Sequence, residues 1–197
     1  MKAILLAGAL GLTAAVVANA APVTYKIDPD HTYPTFAADH MGGLSVLRGT
    51  FKSTDGTITL DKAAKTGTVD ITIDTTSLAF TNDKLTEHAK KDPKMFDVAT
   101  YPKATYKGKI TKWNGDKPAE VTGDLTLHGV TKPVTLKISQ FLCKPHPMKK
   151  GNEVCGADAT ATFNRYDFGI TYGDSFGFKP DVNLSIEIEA ALAPQAT

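Results

Sequence analysis

The chain has 197 residues with 22 Lys and Arg against 21 Asp and Glu, a formal net charge of +1. That length suits one domain with a substantial core. The near-neutral, interspersed charge excludes the basic footprint expected of a nucleic-acid-binding protein. The densest basic runs, Lys90, Lys91 and Lys94 and then Lys144, Lys149 and Lys150, read as solvated faces.

Residues 1–20 have the layout of a cleavable secretory signal. Lys2 is followed by an apolar run from Ile4 to Val17 and by the small-x-small site Ala18-Asn19-Ala20. The run contains glycines and ends in a cleavage site, so no stable membrane insertion is expected of the mature chain, residues 21–197.

From Val23 onward, short runs with period-two alternation are separated by Gly, Asp, Asn and Pro, the pattern of antiparallel strands and turns. The early runs are TYKID, TFAADH, GTF through TITL, and TVDITID with Val69, Ile71 and Ile73 inward. One segment breaks the rhythm: across Asn82 to Phe96, Leu85 and Ala89 stand at helical spacing before Pro93, which predicts a single short helix. KATYKGKIT follows, then VTGDLTLH with Val121, Gly123, Leu125 and Leu127 inward. His128 to Pro133 is expected to turn the chain into VTLKIS, where Val134, Leu136 and Ile138 face in. In FLCKPHPMKKGNEVC, an even pair of cysteines in an exported chain reads most simply as a disulfide, Cys143 to Cys155; the rival is a metal site with His146, for which the chain lacks a C-x-x-C or a second clustered His. GADATATFNR and DVNLSIEIEA complete nine or ten strands, the last with Val182, Leu184, Ile186, Ile188 and Ala190 on one face, and APQAT is a tail.

The fold class is therefore all-β and antiparallel, a barrel or sandwich. Closing into a barrel removes the edges that a sheet this size would expose, and about eight strands can be packed solid or hold one ligand. Ala157, Ala159 and Ala161, with Ala104, Gly108 and Gly123, are small residues on expected inner faces and would leave space. The alternative is that Phe36, Phe51, Tyr106 and Phe141 interdigitate over them and close the core.

In order, YKIDPDHTYPTFAADH, GTF, DPKMFDVATYPKATY, GDLTLHGVTKPVTL and NRYDFGI resemble the YceI-like family of periplasmic polyisoprenoid-binding proteins, from about Tyr25 to about Ala190. GDLTLHGVTKPV and FDV-x-x-YP carry the resemblance most specifically. It implies an extended, lipocalin-like antiparallel barrel of about eight strands with one short helix, enclosing an apolar tunnel for an isoprenoid or similar fatty lipid such as a ubiquinone or polyprenyl phosphate. It also implies a periplasmic location and no cofactor beyond that lipid. Two departures stand out: His88 is followed by Ala89 where members often carry Leu, a change that would alter the tunnel mouth, and the Cys143 to Cys155 segment is not general in the family.

In a tunnel fold the core and the ligand wall are one surface, so the aromatics Phe36, Phe51, Phe96, Tyr101, Phe141, Phe163, Phe168 and Phe176 are candidate lining residues. His40, on the apolar side of its strand, is either a buried neutral histidine or a contact for a lipid head group, and His88 joins it as a candidate. A metal shared by His31 and His40 would require the chain to fold back at Pro34. Arg165 is suited to a phosphate or quinone head group, or else to a surface ion pair. No G-x-S-x-G elbow, H-E-x-x-H or phosphate loop is present, so no catalytic residue is assigned. An envelope interaction module with a packed barrel is the competing function, a homodimer is compatible with the sequence, and an enzyme would need His31, His40 and His88 to converge.

Overall fold

The computed structural model describes residues 21–194; the predicted signal sequence lies outside them. Eleven strands form one sheet. They are β1 (Val23–Ile27), β2 (Tyr33–His40), β3 (Ser45–Phe51), β4 (Thr54–Asp61), β5 (Thr66–Asp74), β6 (Leu78–Phe80), β7 (Lys103–Asn114), β8 (Lys117–Leu127), β9 (Val130–Pro145), β10 (Glu153–Asn164) and β11 (Asp181–Leu192). A single α-helix, α1 (Asp83–Lys91), connects β6 to β7 through an irregular stretch.

The hydrogen-bonded order β1-β4-β5-β7-β8-β9-β10-β11 returns to β1, so eight strands close a ring in which every neighbour is antiparallel. The other three strands are continuations: β1 and β2 share one edge of β11, β3 runs on into β4, and β5 runs on into β6. Above the ring, the end of β10 with β11, β2, β3 and β6 therefore forms an open five-stranded extension.

Three neighbouring breaks make this seam, and short polar side chains replace the missing ladder bonds. At the first, Asp28-Pro29-Asp30 turns with Asp28 accepting from the Asp30 N–H at 3.0 Å, and the Thr32 hydroxyl donates to Glu189 O at 3.2 Å while accepting from Glu189 N at 3.1 Å. At the second and third, Ser77 Oγ accepts from Lys52 N at 3.0 Å and Ser53 N at 3.1 Å. Such hydroxyls compete well with the backbone ladder, which is why Ser and Thr sit where strands stop.

Helix α1 begins where Asn82 Oδ1 accepts from Leu85 N at 3.1 Å, and it stops at Asp92, whose extended backbone is the one that a following proline requires. Thr86 seals the free edge of β6, its hydroxyl accepting from Phe80 N at 2.9 Å. The Leu127 to Val130 connection is tighter than the sequence led us to expect. His128 and Gly129, at φ 51° and 74°, form the whole turn, and the strand resumes at once so that Pro133 pairs with Asp124.

Two apolar clusters result. One lines the ring, and a smaller one, built on Phe36, Phe51, Leu78, Ala89 and Val182, lies under α1.

Candidate functional site

The barrel is not packed solid. A cavity of about 310 Å³ runs inside it, at the lower end of the roughly 300–1,000 Å³ found for ligand sites. Its deep wall is aliphatic: Val69, Ile71, Leu125, Leu127, Val134, Leu136, Ile186 and Ile188, the same period-two faces that the sequence placed inward. Four phenylalanines form its upper wall, Phe36 standing with ring centroids 5.8 Å from Phe51, 5.7 Å from Phe80 and 5.7 Å from Phe96.

The space does not come from the small residues expected to provide it. Of these, Ala104 alone lies on the cavity wall. Gly108 and Gly123 face each other across β7 and β8, where a Cβ on Gly123 would lie 2.4 Å from Lys107 O, so their smallness is consumed by close strand approach. The Tyr106 ring covers Gly108, and its hydroxyl donates to Val134 O at 2.9 Å and Val121 O at 3.2 Å. Burial raises the Tyr106 pKa, so it stays a donor.

The mouth lies at the α1 end. There the wall passes from buried residues to exposed ones, His88 on α1 and Phe176 in the loop before β11, with His40 and Leu47 at the β2–β3 turn. His40 Nδ1 lies 3.1 Å from Ser45 Oγ with its ring against Phe178; His88 packs on Tyr172 and reaches Asp92 at 3.6 Å. His31 instead pairs with Asp28 at 2.9 Å on the outer surface, so the three histidines do not converge. Ala89 is fully buried under the helix and off the cavity wall, so the effect on the mouth expected of its small side chain does not arise.

Arg165 is the buried cation of the site. It is 7% exposed, lines the cavity, donates from Nη1 to Ile170 O at 2.9 Å and lies 4.7 Å over the Tyr166 ring. No carboxylate stands within 4.0 Å of it among the described residues. Desolvation lowers its pKa, opposed by the more distant charges of Tyr166, Asp174 and Asp39. The surface ion pair is therefore not its role.

Of the candidates, Phe36, His40, Phe51, His88, Phe96, Phe163, Arg165 and Phe176 come together on the cavity wall, and Tyr101, Phe141 and Phe168 do not. Tyr101 covers Gly129 and stacks on His128 at 4.3 Å. Phe168 is fully buried behind Phe163, and its carbonyl lies 3.2 Å from His128 Nδ1. Phe141 belongs to the end opposite the mouth. A β-bulge between Ile138 and Gln140 shifts β9 by one residue, turning Phe141 and Cys143 onto the core and exposing Leu142. Cys143 and Cys155 are directly paired and disulfide-bonded, which disposes of the metal alternative with His146. Sequence reasoning did not assign Thr32, Met95, Ile170, Tyr172 and Phe178 to the wall; they lie in breaks and loops where no periodicity reports a facing.

Comparison with known proteins agrees with this architecture. The solved structure of BcnA from Burkholderia cenocepacia superposes with a TM-score of 0.64 at 21% identity, covering 83% of this chain and 99% of that one. A polyisoprenoid binding domain from Saccharophagus degradans gives 0.60 at 15% identity over 87% and 99%. The Campylobacter jejuni YceI protein gives 0.61 at 25% identity over 77% and 88%. In sequence, the UPF0312 protein of Pseudomonas putida (strain W619) is 36% identical over 187 residues, 91% of this chain and 93% of its own. The UPF0312 protein of Pseudomonas syringae pv. tomato is 38% identical over 178 residues, 86% and 88%. A YceI-like domain profile matches residues 25–190, from Tyr25 in β1 to Ala190 in β11. The chain with this ring, cavity and lone buried guanidinium belongs to the YceI-like family.

Proposed function

We propose that the protein is a non-enzymatic periplasmic carrier that sequesters an isoprenoid lipid, with its chain in the barrel cavity and its head group at Arg165. The observation that carries this reading is the apolar cavity holding a single buried guanidinium with no carboxylate within 4.0 Å among the described residues. Each buried methylene contributes about 0.8 kcal/mol, so even a few isoprene units bind firmly without any chemistry. Arg165 supplies the complementary end. Its remaining N–H groups suit a phosphate or a quinone carbonyl, and it opens the loop before β11 that also carries the mouth residue Phe176. The name of the Saccharophagus degradans domain supports the ligand class through shared fold. The cavity also argues against an interaction module built on a solid barrel.

The test is native mass spectrometry with lipid extraction after gentle purification, followed by uptake of ubiquinone and of polyprenyl phosphate by Arg165→Leu and Arg165→Lys variants. A bound isoprenoid and a loss of about 10- to 100-fold for Arg165→Leu are expected. The phosphate should suffer more than the quinone. A protein that is empty and takes up neither lipid refutes the proposal.

A further inference from the structure

Four of the seven large apolar side chains that stand exposed among the described residues gather at the mouth: Met41 at 54%, Leu44 at 74%, Val46 at 51% and Phe176 at 69%. Two tips carry them. The β2–β3 turn has left-handed backbone at Met41, Gly42 and Gly43, and a Cβ on Gly42 would lie 3.3 Å from Gly177 O, so the turn abuts the loop that bears Phe176. The patch is continuous with the cavity, because His40, Leu47, Phe176 and Phe178 of the same two segments line its wall. Arg48, exposed two residues beyond Val46 on the same side of β3, and Lys179, whose Nζ lies 3.6 Å from where a Gly43 Cβ would be, flank it, and neither has a carboxylate within 4.0 Å among the described residues. The acids nearby are engaged locally, Asp39 accepting from Lys179 N and Asp174 from Ser175 N.

Four side chains on two convex tips are too few to bury the roughly 1,200 Å² of a stable protein interface. Apolar tips with flanking cations are the pattern of shallow insertion at the boundary between lipid head groups and acyl chains. We propose that the mouth of the barrel docks on a lipid bilayer, with Met41, Leu44, Val46 and Phe176 inserted and Arg48 and Lys179 at the phosphates. Docked this way, a lipid tail moves between membrane and cavity without crossing water. This purpose rests on the carrier reading, but the docking itself does not.

The experiment is co-sedimentation of the protein, recovered from the envelope of expressing cells, with phosphatidylethanolamine–phosphatidylglycerol vesicles free of isoprenoid. Wild type is compared with Met41→Asn/Leu44→Ser at the mouth and with Leu142→Ser/Met148→Ser at the opposite end; neither pair lines the cavity, and Asn tolerates the left-handed backbone at 41. Removing the two mouth side chains is expected to lower vesicle partitioning at least tenfold, and the opposite-end pair to leave it unchanged. Uptake of a short-chain quinone from solution, without vesicles, should be the same for all three proteins. Wild type remaining in the supernatant refutes docking, as does partitioning that the two double variants lose equally or that the mouth pair leaves intact. A wild-type dimer in sedimentation velocity that Met41→Asn/Leu44→Ser converts to monomer assigns the patch to self-association and also overturns it. Vesicle binding without quinone uptake would leave docking standing and remove the carrier reading.

Discussion

Ala104→Leu separates a ligand cavity from a conventional core by the sign of one number. Ala104 is buried on β7, paired with Ile73 of β5, and its side chain is on the cavity wall. Leucine adds three carbons, which in existing empty space stabilise by about 0.8 kcal/mol each; the rotamer freedom lost on burial returns about 0.5–1 kcal/mol, leaving a net gain of about 1.5 kcal/mol. In a filled core the same carbons would cost about 1–3 kcal/mol by overpacking. The assay is urea unfolding of lipid-stripped protein followed by fluorescence of the single Trp113. With an m value of about 2 kcal/mol/M the midpoint should rise by roughly 0.7 M at unchanged m. The same substitution should reduce lipid uptake, because the added carbons occupy the ligand's space. A fall in midpoint would refute the cavity argument, whatever happened to binding.

Gly49→Ala should act in the opposite direction. Its new Cβ would lie 2.4 Å from Phe36 Cζ and 3.0 Å from Phe80 Cε1, and displacing that ring cluster should cost about 1–3 kcal/mol, read as a Tm lower by several degrees. Replacing Cys143 and Cys155 with Ser should lower stability by up to about 3 kcal/mol in the same urea assay while leaving lipid uptake unchanged, since the bridge lies at the end opposite the mouth. At the seam, the hydrogen bond between Asp28 and His31 raises the His31 pKa and lowers that of Asp28. The histidine's contribution is full below its ordinary value and is lost as pH rises through the raised one; the carboxylate's is present above its ordinary value and is lost as pH falls through the lowered one. NMR titration should show His31 moving down in Asp28→Asn, and an unmoved titration would contradict the pairing.

Most of the ring was legible because alternation reports facing directly: Val69 and Ile71, Leu125 and Leu127, Val134 and Leu136, and Ile186 and Ile188 all line the interior as read. The helix was legible from Leu85, Ala89 and Pro93, and the disulfide from an even pair of cysteines behind a predicted signal sequence. The seam was not, since its breaks depend on Thr32 and Ser77 substituting for partners remote in sequence, Glu189 and Lys52. Phe141 was misjudged for a different reason: it does face the core, but at the end opposite the mouth, and alternation reports which side of the sheet a residue faces, not how far along the barrel it stands. Gly108 and Gly123 were read as space when they are contact, a distinction that requires knowing how closely β7 and β8 approach.

The seam also divides the molecule mechanically. Below it every strand has two bonded neighbours, so an amide in β7 or β8 can exchange its proton only when a closed circle of hydrogen bonds is broken. Above it the five-stranded extension faces α1, held to β6 by Thr86, and the loop from Arg165 to Pro180. A guest with a bulky head would therefore be accommodated by swinging that lip outward at a fraction of the global unfolding free energy, while the calyx beneath keeps its shape. Tolerance at the Arg165 end and strictness toward chain girth in the ring would then follow from one division of the fold.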